Sequence, residues 1–234
     1  MLHAILLLAL VGDNDKEAED ALERFKTAYK NTSAAGRASA VSDLSKTPHE
    51  KTLGKLAGIL GSEEMPVRIA AAKGIGNFTD YKKKASPILQ DALAATNKDS
   101  VDLAVAILEG LGKLGDESTL PAIEQHFDDK DAKIAKAALH AAGEVKSSKA
   151  IDPIIELMKK YEKASGKDPK AKKASSTAGV NLGIPGGGDD PVKKLATDVL
   201  PSCIKALTAI TKEKWTTSNE WIIWWGRHKN DPAK

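Results

Sequence analysis

The sequence predicts an all-α protein, an α-solenoid of about five antiparallel helix pairs closed by a tryptophan-rich C-terminal helix. Three observations carry this. Apolar residues recur at helical spacing along most of the 234 residues. Only 4% of the residues are aromatic against 41% hydrophobic, so the core is aliphatic and alanine-rich, which suits close helix packing better than a sheet. Finally, one short segment occurs four times.

That segment is best seen at Glu64–Asn77. Pro66 stands in a first turn, where its missing N–H costs nothing. Val67, Ala70, Ala71, Gly74 and Ile75 form one small-residue face, and Gly76 is expected to stop the helix. Shifted back 31 positions, Arg68, Ala71, Ile75 and Gly76 meet Arg37, Ala40, Leu44 and Ser45. Shifted forward 36, the apolar face meets Leu103, Ala106, Ile107, Gly110 and Leu111. A further 31 lands on Ile134, Ala137, Ala138, Ala141 and Ala142. Such helices are too small-sided to make a core alone, so they must be stacked.

In chain order, Met1–Gly12 is an apolar run too short to cross a bilayer, which takes roughly 20 residues. It resembles the hydrophobic region of a secretory signal peptide, although no Lys or Arg precedes it, so export to the periplasm or beyond is the expectation, with a buried first helix of a cytoplasmic protein as the alternative. Residues 13–163 form the repeat region. Residues 15–30 are expected as an amphipathic helix bearing Ala18, Ala21, Leu22, Phe25 and Ala28, and Asn31-Thr32-Ser33 breaks it and caps the next. Partner helices fall at Thr52–Leu60, Ala85–Ala95, Ser118–Phe127 and Ile151–Tyr161, with Pro87, Pro121 and Pro153 expected in first turns.

The Met65–Gly76 segment resembles the HEAT repeat, in particular the short bacterial variety shared with phycobilisome-lyase-type repeats. The likeness runs from about residue 15 to 163 and, more weakly, over 190–229. It implies that second helices line a concave, partner-facing side. The family's second-helix arginine is present as Arg37 and Arg68 but replaced by Ala104 and Ala135, so an arginine ladder would be broken in the second half.

Residues 164–190, lysine-rich and then glycine-rich, read as a flexible insertion within the fifth pair. The region 191–234 holds the last repeat helix and a cap. Helical pattern resumes at Pro191, and Pro201 is expected to kink or divide that helix. All four tryptophans lie within residues 215–225, where Trp221, Trp224 and Trp225 share a helix face. They are expected to cap the last repeat, with an aromatic docking surface as the second possibility.

Catalytic signatures are weak. Gly110-Leu111-Gly112-Lys113-Leu114-Gly115 matches a dinucleotide loop in letters, but closes a helix where such a loop must open one. His3, His49, His126, His140 and His228 never stand at metal-ligand spacing, so no metal or cofactor is expected. Asp13, Asp15 and Glu17 mimic the start of a calcium loop, but Ala18 replaces its glycine; helix capping accounts for them better. The single cysteine, Cys203, lies on an apolar helix and reads as a core residue.

With 35 basic and 32 acidic residues, the net charge of +3 argues against nucleic acid, whose binders concentrate one sign. Repeat register places Lys73, Glu109 and His140 at one outward position of the second helices, beside Ser42. Asn77, Lys113 and Glu144 share another, with Lys46. These are the candidate partner-binding residues, and Trp221, Trp224 and Trp225 the secondary aromatic surface. The expected function is a non-catalytic, monomeric scaffold for a protein or peptide. The alternatives are a HEAT-like DNA glycosylase, which would want tryptophan and carboxylate inside the central repeats, and a chromophore lyase or chaperone.

Overall fold

A computed structural model describes residues 2–30, 33–96, 100–164 and 191–230, with side chains from Asn14 onward except Ser62. Every regular element among them is helical. The α-helices are α1 (Leu2–Ala28), α2 (Ala34–Leu44), α3 (Glu50–Ser62), α4 (Met65–Ile75), α5 (Lys82–Ala94) and α6 (Val101–Leu114). They continue as α7 (Leu120–Glu124), α8 (Ala132–Val145), α9 (Ile151–Ala164), α10 (Pro191–Thr211) and α11 (Ser218–His228). The chain divides into two compact units, Met1–Ile123 and Glu124–Lys234.

Helix starts follow local chemistry. Ser33 caps α2 by accepting the Gly36 N–H at 3.0 Å. His49 caps α3 through its imidazole, which accepts the Lys51 N–H, while Thr52 Oγ1 returns a bond to the His49 N–H. Asp131 caps α8 by accepting the Lys133 N–H at 2.7 Å. Three first helices, α5, α7 and α9, are each led in by a single 3₁₀ turn, at Thr79–Tyr81, Glu117–Thr119 and Ser148–Ala150.

In the first unit the second helices α2, α4 and α6 pack side by side in one layer. First helices α1, α3 and α5 form the other layer, and each pairs with the second helix that follows it. Val67, Ala71, Ile75, Leu103, Ile107 and Leu111 are fully buried between them. Each buried Val, Leu or Ile side chain contributes about 1.5–3 kcal/mol relative to exposure. In the second unit α10 packs on both α8 and α9, and α11 closes over α9. Tyr161, Cys203, Leu207 and Trp221 are completely enclosed there.

Several expectations are corrected. Gly76 does end α4, as its C-cap, but in a right-handed conformation at φ −59°, and turns carry the chain on through Phe78. What requires glycine is proximity, since a Cβ on Gly76 would sit 2.8 Å from Gly110 Cα. The left-handed stops are Gly115, at φ 61°, and Lys146, at φ 57°. Helix α5 starts three residues before the expected Ala85, so Pro87 lies inside it rather than in its first turn. The Ser118–Phe127 helix shrinks to α7, ended by a turn in which the Phe127 N–H reaches Glu124 O.

Pro201 does not divide α10, which is continuous with the proline on its exposed side. A ring facing solvent meets no packing helix, so the lost backbone bond is tolerated. Asp15 and Glu17 lie in the middle of α1, so they cap nothing. Asp15 instead faces His49 Nε2 at 3.4 Å and Lys51 Nζ at 3.3 Å on α3. Residues 2–12 belong to α1, but their side chains lie outside the described residues, as does the segment 165–190 expected to be flexible.

Candidate partner-binding surface

The outward residues of the second helices are positioned by the small side chains beneath them. Gly74 lies under Ser45, where an added Cβ would come within 2.7 Å of the serine Cβ. A Cβ on Gly110 would sit 2.9 Å from Ala72 O. Backbones this close bring equivalent positions of neighbouring helices within reach of each other's side chains.

Lys73 Nζ on α4 stands 3.3 Å from Glu109 Oε2 on α6. One step further along, Lys113 Nζ donates to Asn77 Oδ1 at 3.1 Å, and Asn77 Nδ2 donates to Ser45 Oγ at 3.5 Å. Four of the six candidate residues therefore meet as two cross-repeat pairs in the first unit. All four remain solvent-accessible, the Lys73 and Glu109 side chains at 57% and 44%, so each pair adds at most about 1 kcal/mol. The other two, His140 and Glu144, pair with each other along α8 at 3.7 Å and are likewise exposed. Lys46, at the same register position as Asn77, pairs within its own helix end with Asp43 at 2.7 Å.

The two arginines of the motif do not repeat one bond. Arg37 reaches forward to the Glu64 carboxylate at 2.9 Å, whereas Arg68 Nε caps the end of α3 through Leu60 O at 2.8 Å. Ala104 and Ala135, which replace them later, are buried.

The aromatic surface is only partly a surface. Trp221 is fully buried, and its indole N–H donates to Trp215 O at 3.1 Å. Trp225 donates its indole N–H to Asp152 on α9. Trp224 stacks between Trp225 and His228 at centroid distances of 5.9 and 4.9 Å and, like Trp225, is half-buried. Trp221 is thus removed from any docking role: it anchors the cap. Thr217 and Glu220 form a capping box that starts α11, and the bonds donated by Thr217 and Thr216 hold the Glu220 carboxyl below its usual range.

Sequence reasoning did not single out one feature, an open groove of about 940 Å³ between α1 and α3. Phe25 and Tyr29 pack at 4.6 Å in its wall, and Lys55 Nζ lies 5.6 Å from the Phe25 centroid. Burial and the nearby Glu63 carboxylate push the Tyr29 hydroxyl up to about 12. The hint in the sequence was Phe25, the one aromatic residue on a face of alanines and Leu22.

Reactive chemistry is sparse. The Cys203 thiol is enclosed in α10, and burial pushes it up to about 12. Among the described residues no group of three metal-ligating side chains converges, and no helix is long and apolar enough to cross a membrane. The Gly110–Gly115 stretch runs inside α6 to its left-handed stop and follows no strand. Cross-repeat pairs on rigid helices can recognise side chains; they offer no nucleophile with an aligned base.

Helix pairs stacked in sequence order, with small residues at the crossings, define an α-solenoid built from tandem repeats. The family model described as HEAT repeats matches residues 22–108 and again 94–164, more than half of the chain. The protein belongs to the HEAT-repeat family. No curated protein matches it.

Proposed function

We propose that this chain is a non-catalytic interaction module that holds a protein or peptide on the exposed face of its second helices. One observation carries the proposal. The pairs Lys73–Glu109 and Asn77–Lys113 line up across α4 and α6 on helices locked together through glycine contacts. Side chains held this way lose little further freedom when a partner docks.

Alternating charge on this face suits a polypeptide better than a phosphate backbone. The glycosylase alternative wants tryptophan inside the central repeats, whereas Trp215 to Trp225 cluster at α11. We also propose that the protein works as a monomer after export, with cleavage near residue 12; N-terminal sequencing of protein from the native host tests the latter.

The deciding experiment is a crosslinking pull-down from the native host with identification by mass spectrometry, using wild type and the double variant Lys73→Glu/Lys113→Glu. Partners that disappear with the double variant support the proposal. The same partners at equal yield overturn it.

A further inference from the structure

Repeat register extends the second-helix face beyond the charged pairs. One turn N-terminal of Ser42, Lys73 and Glu109 stand Ala38, Ile69 and Val105, all half-buried rather than enclosed. A turn earlier again comes Met65, the one large apolar residue of α4 that is plainly exposed, at 38%. The face therefore has an apolar half toward the helix starts and a polar half toward the helix ends. Successive rows lie about 6 Å apart, from four residues at 1.5 Å each.

Charge on the polar half is largely settled internally. Lys73 faces Glu109, and Lys46 faces Asp43. Lys113 differs, because its partner among the described residues is the neutral Asn77 amide. An acid brought to this face would find its counter-charge there.

We infer that the partner presents an amphipathic α-helix, its apolar stripe seated on the Ala38–Ile69–Val105 row and a carboxylate on its flank facing Lys113. This rests on the interaction reading above and adds the partner's chemistry. Dimensions agree. A helix is about 10–12 Å across, the distance from the apolar row to the Lys113 row. The apolar row crosses three helices spaced about 8–10 Å apart, so roughly 16 helical residues cover it. The equivalent positions on α8, in the second unit, are Lys136 and Glu144, so the apolar row and the cation are features of the first unit's helices.

The test is a displayed library of 16-residue helical peptides selected on the full chain, with selected peptides then measured by fluorescence anisotropy. Enriched peptides should carry apolar residues at i, i+3, i+4 and i+7 with Asp or Glu on one flank. Reversing that flank to Lys should weaken binding about tenfold, and Lys113→Glu should restore it. Ile69→Glu and, independently, Val105→Lys should each lower affinity at least about tenfold with unchanged far-UV circular dichroism. Val105→Lys copies the residue α8 already carries at that position, which guards against a folding defect. Absence of enriched helical binders, indifference to flank charge, or wild-type binding by both variants overturns the inference. In the host pull-down, partners lost with Lys73→Glu/Lys113→Glu but kept with Ile69→Glu would leave the interaction reading standing and remove this one.

Discussion

Gly76 and Gly110 meet where α4 crosses α6, and nothing larger than hydrogen fits between them. Gly110→Ala would place a methyl 2.9 Å from Ala72 O and from Leu89 Cδ1. Backbone cannot yield as a side chain can, so a cost of about 1–3 kcal/mol is expected, seen as a lower melting temperature. Gly54 is the internal control. It lies inside α3 with no atom within 4 Å of an added Cβ, so Gly54→Ala should stabilise by about 0.5–1 kcal/mol. Two glycines on helices of the same repeat array thus respond with opposite sign.

Cys203 and Tyr29 give a pH dependence at the same scale. Each is pushed up to about 12, from ordinary values of 9.0 and 10.0, burial being the main cause. A group whose proton is held more tightly in the folded state stabilises that state fully below its unfolded pKa. That contribution is lost as the pH rises through the folded value. Stability should therefore be flat up to about pH 9 and decline from there toward pH 12, which a denaturant titration across that range would show. A thiol reagent at pH 8 should leave native Cys203 unmodified and label it on unfolding.

At the scale of elements, α11 is a lid held by one enclosed tryptophan. Trp221→Ala should cost about 3–5 kcal/mol in the second unit, because it removes a fully buried indole together with its bond to Trp215 O. Thr217→Ala should cost about 1 kcal/mol through loss of the cap. Glu220, held low by its threonine bonds, supports the helix above the ordinary carboxylate range, and that support fades as the pH falls through its lowered value. Fluorescence of the tryptophans should track both. The second helices work differently: small residues line their crossings, and their stability comes from packing against neighbouring helices.

At the scale of the whole molecule, repeat arrays are stabilised by nearest-neighbour contacts and need not unfold in one step. All four tryptophans lie within residues 215–225, so fluorescence reports the second unit while circular dichroism reports every helix. Gly110→Ala, in the first unit, should shift the circular dichroism transition to lower denaturant and move the fluorescence transition less. Coincident transitions in wild type and variant would show instead that the array is fully cooperative. The family match ends at residue 164, so α10 and α11 lie beyond the matched residues.

Fold class, repeat period and the faces of most helices were legible in the chain itself, because apolar spacing is a local property. Val67, Ala71, Ile75 and their copies had to be buried whatever the details of stacking, and they are. Outward positions such as Lys73 and Glu109 could likewise be placed in register, since register is only counting. Proximity between distant residues could not be read that way. That Gly76, besides ending α4, also makes room for a helix crossing depends on Gly110, far along the chain. That Trp225 is tied to α9 depends on Asp152, 73 residues before it. That Pro87 and Pro201 are tolerated within helices depends on both rings standing on exposed sides, which the stacking of the other helices decides. The sequence by itself determined which residues face inward and how often the unit recurs. Only the tertiary structure decided which small residues touch and which charges meet, because those are properties of helix pairs and not of any one helix.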